Sequence, residues 1–243
     1  MDVPVDSLPE LTPEYRKAQL QAVQDAKVVY QFEEVIVPAT DYGAILLWLV
    51  LVGFILWLGT LLGWLGMTVF TLLAFALASY LYYAGNPDTK QTVTLTEKGI
   101  IVTELTLVPD ACFAALRYSG YAGIAISLIG VVLVGPMMFV GAGAGLLMSF
   151  KMAGVVNRPR QRVRPFAPNA SYSIYIVPEG RYKHGLIESQ LLPKIEKAVE
   201  SEEKKAIYRE NRIFYSFCCI ASPEVQEQFL KHLKQLVILT EEE

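Results

Sequence analysis

The chain of 243 residues has only two histidines and three cysteines. Cys112, Cys218 and Cys219 are too few and too badly spaced for a metal site. Adjacent cysteines such as Cys218 and Cys219 do not readily adopt disulfide geometry, so these residues read as small core side chains. His184 and His232 have no carboxylate or cysteine partner at readable spacing, which excludes a recognisable catalytic constellation. No phosphate-binding loop is present either. Gly141-Ala-Gly143-Ala-Gly145 lacks the following Gly-Lys-Ser/Thr and lies inside an apolar run. No catalytic residue, cofactor or metal is therefore expected. The largest absence is of charge. Residues 42–87 and 118–150 hold no Asp, Glu, Lys, Arg or His.

A charge-free apolar stretch of about 18 residues or more reads as a membrane span. The expected class is an integral membrane α-helical protein with a cytoplasmic α+β portion. The first silent block, 46 residues, would be about 69 Å long as one helix, against a hydrocarbon core of about 30 Å. It must reverse, and the glycine-rich segment Gly59–Gly66 is the place for the turn. The second block, 33 residues, would make a helix of about 50 Å. Gly135-Pro136 interrupts it, and apolar flanks extend it to about 111–156. Two transmembrane hairpins with four spans follow, the alternative being a single kinked span in the second block. The expected pieces are an N-terminal arm and helix at 1–41, hairpin 1 at 42–87 and a β-hairpin segment at 88–117. Hairpin 2 at 118–156 and a cytoplasmic α+β domain at 157–243 complete the chain.

Orientation follows from basic residues near the span ends. Residues 1–41 hold three basic and eight acidic side chains, whereas 151–243 holds fifteen and twelve. Lys151, Arg158, Arg160, Arg162 and Arg164 follow the last span, so that end is expected in the cytoplasm. The expected location is a bacterial inner membrane, or an equivalent organelle membrane, with both termini cytoplasmic. Net charge is −3, and the basic run lacks interleaved aromatics, so no nucleic-acid partner is implied. Topology retention and anionic lipid headgroups are the two readings left for those five cations.

Thr12-Pro13-Glu14 predicts a helix start, and Val28–Val37 a strand. Residues 91–105 form two β-rich arms around Glu97-Lys98-Gly99, a hairpin pattern. A β-hairpin directly after a membrane hairpin is similar to small bacterial membrane proteins with pleckstrin-like β-domains; no function is carried over from that resemblance. Further on, Tyr172–Ile176 alternates as a strand ended by Pro178-Glu179-Gly180. Leu191 to Ala206 predicts an amphipathic helix, Ile213–Ile220 a buried strand, and Ser222-Pro223-Glu224 the start of a last helix with Phe229 mid-stripe.

Gly141 and Gly145, like Gly59 and Gly63, have the small-xxx-small spacing that lets membrane helices approach closely. The two charge-free blocks contain no Gln and, apart from Asn86 at the end of the first, no Asn, so their interiors lack the polar groups that transport usually needs. These readings point to a non-enzymatic membrane scaffold or assembly subunit whose cytoplasmic domain holds partners in a multiprotein complex. Its expected partners are other membrane subunits or itself, with no small-molecule substrate. The alternative is a small oligomeric pore-forming or membrane-perturbing protein.

Overall fold

The computed structural model describes residues 3–135, 138–177, 181–196 and 202–241. The chain divides into two units, one built from residues 1–39, 89–105 and 159–243, the other from 40–88 and 106–158.

The first unit contains two four-stranded sheets. In the first, β1 (Val28–Ile36), β2 (Thr89–Thr96), β3 (Gly99–Thr106) and β4 (Arg160–Pro165) lie in that order. Three segments far apart in sequence thus make one sheet. β1 pairs antiparallel with β2, Phe32 opposite Val93, and β3 pairs antiparallel with β4 from Gly99↔Pro165 to Glu104↔Arg160. The second sheet contains β5 (Tyr172–Ile176), β6 (Ile187–Pro193), β7 (Phe217–Ala221) and β8 (Leu239–Glu241), in the order β7-β6-β5-β8. β5 pairs parallel with β8, and antiparallel with β6.

Among the described residues, three α-helices and a short 3-10 turn at Val5–Ser7 complete the unit. In α1 (Pro13–Gln24), the Thr12 hydroxyl accepts from the Tyr15 amide at 3.2 Å, and proline occupies the first turn. α6 (Glu202–Tyr215) and α7 (Pro223–Leu233) each bury one face. The Ser222 hydroxyl donates to Glu34 Oε1 at 2.8 Å, which sets a β1 carboxylate at the N-terminus of α7. One core joins both sheets and both late helices. Phe32, Val93, Leu95, Ile100, Tyr172, Leu191, Phe217, Phe229 and Leu233 all belong to it.

The region after residue 177 departs from the sequence reading. Residues 191–193, expected to begin a helix, instead end the strand Ile187–Pro193, because Leu191, Leu192 and Pro193 pair with Ile174, Ser173 and Tyr172 of β5. The helix starts at Glu202, and Ala198 and Val199 lie outside the described residues. It continues through Ile213, which is exposed, so the strand expected from Ile213 begins only at Phe217. Pro178-Glu179-Gly180 also lies outside the described residues.

The second unit is helical: α2 (Tyr42–Leu61), α3 (Gly63–Ala84), α4 (Asp110–Val134) and α5 (Met138–Ala153). The α2–α3 reversal falls at Leu62-Gly63, where Gly63 takes φ +73°. Three helices, Tyr42–Leu61, Gly63–Ala84 and Asp110–Leu133, are long and apolar enough to cross a membrane. α5 has 16 residues, about 24 Å of helix. Hydroxyls on these helices donate to their own backbones, as Thr60 does to the Trp57 carbonyl and Ser127 to that of Gly123.

Close helix crossings fall at glycines, but not all at the expected ones. A Cβ at Gly59 would lie 3.1 Å from Phe70 Cβ, and one at Gly66 would lie 3.1 Å from the Gly59 carbonyl oxygen. Gly63 serves the turn instead. On α4, a Cβ at Gly120 would approach the Ala153 amide to 2.6 Å, and one at Gly123 the Ser149 hydroxyl to 2.3 Å. A Cβ at Gly145 would meet nothing within 4 Å in this chain. Gly141 lies in α5, with its surroundings outside the described residues.

Phe229 is fully buried and meets Phe32 edge-on at 5.8 Å between ring centres. Phe229→Ala should cost about 3–5 kcal/mol. The C-terminal segment of this variant should become cleavable in limited proteolysis; resistance equal to that of the parent would mean α7 is not part of the core.

Candidate functional site

The basic run resolves into two kinds of residue. Lys151 closes the last turn of α5, and Arg158 follows that helix. Arg160, Arg162 and Arg164 alternate along β4. The register sets Arg164 opposite Ile100 and Arg162 opposite Val102. Directly paired residues project to the same face of a sheet. Ile100 and Val102 are buried, so this outer strand turns two arginines toward the core side.

A cleft of about 190 Å³ opens there, between β3 and β4 of one sheet and β6 and β7 of the other. Glu104, Arg162 and Arg164 form its charged wall, and Gln190, Ser216 and Cys218 its polar wall. Val102, Leu192 and Phe217 supply apolar surface. Arg162 Nη2 lies 3.2 Å from Glu104 Oε2. Arg164 is half-buried, and among the described residues no carboxylate pairs with it. Burial first, and the charge of Arg162 second, pull its pKa below the usual arginine value.

Behind Cys218 lies a buried carboxylate. Glu188 on β6 is 7% exposed. Its Oε2 accepts from Arg181 Nη1 at 3.0 Å and from the Tyr182 hydroxyl at 3.2 Å. Its Oε1 accepts from Gln190 Nε2 at 2.9 Å and from the Cys218 thiol at 3.5 Å. Burial pushes the Glu188 carboxyl up, but the donors outweigh it and hold it below its ordinary value. Burial and the Glu188 charge push the Cys218 thiol up to about 12, so it is an inert donor and not a nucleophile.

Elsewhere the residues weighed from sequence stay apart. Cys112, Cys218 and Cys219 are free thiols. His232 stacks on Tyr30 at 4.8 Å, and His184 takes φ +62° in a loop. No group of three or more His, Cys, Asp or Glu among the described residues could hold a metal ion. The cleft itself was missed from sequence. Its signal is the period-two pattern Arg-Gln-Arg-Val-Arg, a strand pattern that was read only as a run of charge. Glu188 and Cys218 are thirty residues apart, and no local pattern joins them.

A family model for the TsiV2 immunity protein matches residues 14–163, and the chain belongs to this family. The match runs from α1 into β4. The chain is also 38% identical over 85 residues to "Immunity protein TsiV2" from Vibrio cholerae serotype O1 (strain ATCC 39315 / El Tor Inaba N16961). That alignment covers 35% of this chain and 34% of the relative, so the chain spans about a third of the relative's length. No solved structure matches. Family membership corrects the functional expectation. The chain is not a scaffold or assembly subunit, and the pore-forming alternative falls with it. The expected partners, subunits of a membrane complex or further copies of the chain, and anionic lipid headgroups with them, are overturned by the same family match. Binding surfaces carry no motif of residue types, whereas apolar helices without polar groups suggest assembly by default.

The Glu188 network gives a pH test. Its carboxyl lies below the ordinary value of 4.5 in the folded chain. It therefore adds stability above that pH, which is lost as pH falls through the folded value. Glu188→Gln should lower the melting temperature most near neutral pH. The gap to the parent should close as melts are repeated below pH 4.5; a gap independent of pH would mean that the carboxylate charge does not matter.

Proposed function

We propose that this chain is an immunity protein that binds and neutralises a cognate toxin while seated in a membrane. The observation that carries the first half is the family match over 14–163, together with the relative's name. Binding is a non-catalytic task, so no reacting constellation is required.

Support for the membrane comes from exposed surface. In the three long helices, only 6%, 11% and 6% of the most apolar windows are buried within the chain. Trp64, Val132 and Leu133 are each at least 79% exposed. Apolar patches of this extent mark a surface that something else covers, and helices satisfy their own backbones in lipid.

The sheet constrains the topology. β1 precedes the first apolar block, β2 and β3 lie between the blocks, and β4 follows the second. Paired strands must occupy one side of a bilayer. Each apolar block then crosses an even number of times, which favours two hairpins over three spans. α5 is the weak point, at about 24 Å against a core of about 30 Å. Local thinning and a snorkelling Lys151 accommodate such a helix. The contacts of Gly120 with Ala153 and Gly123 with Ser149 describe an antiparallel α4–α5 pair. The positive-inside rule then puts the two-sheet unit in the cytoplasm.

The functional test is a competition between the native host and a strain lacking this gene. The mutant should be killed by its toxin-producing parent and rescued by a plasmid copy. Survival of the mutant beside a parent shown to kill other strains would remove the immunity reading. Topology is tested separately by Lys98→Cys in the β2–β3 turn, in a variant lacking the native cysteines. A membrane-impermeant maleimide should fail to label it in intact cells and succeed after permeabilisation; labelling in intact cells would overturn the two-hairpin arrangement.

A further inference from the structure

We propose that the cleft beside β4 is a pocket for one acidic side chain of the toxin, held by the guanidinium of Arg164 with Arg162 at its rim. The proposal rests on the immunity reading above. Its first ground is the charge pattern. Arg162 already has Glu104 at 3.2 Å, whereas no carboxylate among the described residues answers Arg164. A half-buried cation beside another cation opposes folding, so its presence asks for a compensating anion. Guanidinium offers a planar fork that matches a carboxylate in two hydrogen bonds.

Size decides the class of ligand. Pockets for small-molecule ligands usually span about 300–1,000 Å³. This cleft, at about 190 Å³, suits one side chain of a larger partner. Val102, Leu192 and Phe217 offer apolar wall to the methylenes of a glutamate, and Gln190, which gives one amide N–H to Glu188, has a second for its carboxylate. A desolvated pocket for one anchor residue is the usual energetic centre of a protein interface. The arginines also share the face of Ile100 and Val102 and line the cleft, Arg164 half-buried and Arg162 at the rim with its side chain 47% exposed.

The test uses the full-length chain in the deletion strain facing its toxin-producing parent. Arg164→Met should lower survival by about tenfold or more, the loss expected for removing one partner of a desolvated charge pair. Its melting temperature in detergent should equal or exceed that of the parent chain, because an unpaired buried cation has gone. A purely structural role would lower the melting temperature instead. Arg164→Lys keeps the charge without the fork and should restore protection only in part. Full protection by Arg164→Met at normal membrane abundance would overturn the pocket. So would an aggregating Arg164→Met fully rescued by Arg164→Lys, since Arg164 would then merely guard a strand edge. As a probe, N-acetylglutamate amide should raise the melting temperature of the parent chain but not of Arg164→Met. A shift with glycerol phosphate and none with the glutamate derivative would assign the site to a lipid headgroup and overturn the proposal. If the deletion strain survives the parent, the immunity reading fails; if it dies and Arg164→Met protects it, this inference alone fails.

Discussion

The pairing of β3 with β4 is the constraint on which the rest of the molecule depends. Six register pairs, from Gly99↔Pro165 to Glu104↔Arg160, join strands separated by α4 and α5. Closing a loop of that length costs conformational entropy, although the cost rises only slowly with length. The returns are a completed sheet and a core. Ile100 and Val102 are buried on the face that Arg164 and Arg162 share. Shifting the register by one residue would move all of these side chains to the opposite face. The same pairing therefore fixes the core, the cleft and, on the proposed topology, the number of membrane crossings.

Polar groups hold the remainder of the first unit. Gln91 is buried on β2, and its side-chain oxygen accepts from the Ile220 amide at 3.2 Å. The Ile220 N–H on the outer strand of the second sheet is thereby satisfied by a side chain of the first. Glu34 does similar work from β1, accepting from Ser222 at the start of α7. Glu188 collects four donors within its own sheet and the preceding loop. Such buried groups are costly when unpaired and specify one arrangement when paired. Arg164 departs from this pattern: of the three arginines on β4 it alone is half-buried, and among the described residues no carboxylate pairs with it.

Local chemistry was legible wherever it decided the outcome alone. Thr12-Pro13, the β2–β3 turn and Ser222-Pro223 each mark an element end through backbone constraints on a few residues. The absence of charge in 42–87 and 118–150 likewise separated the helical unit from the rest. What was not legible depends on distant partners. Leu191 and Leu192 suit a helix or a strand equally, and only pairing with β5 and β7 makes them a strand. Gly145 has the spacing of a packing residue, but the antiparallel α4–α5 pair places its contacts at Gly120 and Gly123. Spacing along one helix cannot say which face its neighbour takes.

Function was the least legible property, for a physical reason. Catalysis leaves a signature in residue types because few side chains can move protons or act as nucleophiles. Neutralisation by binding needs only a surface complementary to one partner, and almost any residues can build it. On the proposed reading, the trace of such a surface in this sequence is an imbalance, three arginines at every second position on a strand whose neighbour β3 offers one carboxylate. In isolation a basic run reads as a topology signal, since lysine and arginine after an apolar helix are expected there. Its alternation changes the meaning. A topology signal requires charge but no period, whereas Arg160, Arg162 and Arg164 keep one face of β4 while Val163 takes the other. Of these arginines only Arg164 is half-buried; a charge kept there costs solvation that an outward charge retains, a cost that, on the proposed reading, an acidic side chain of the partner offsets.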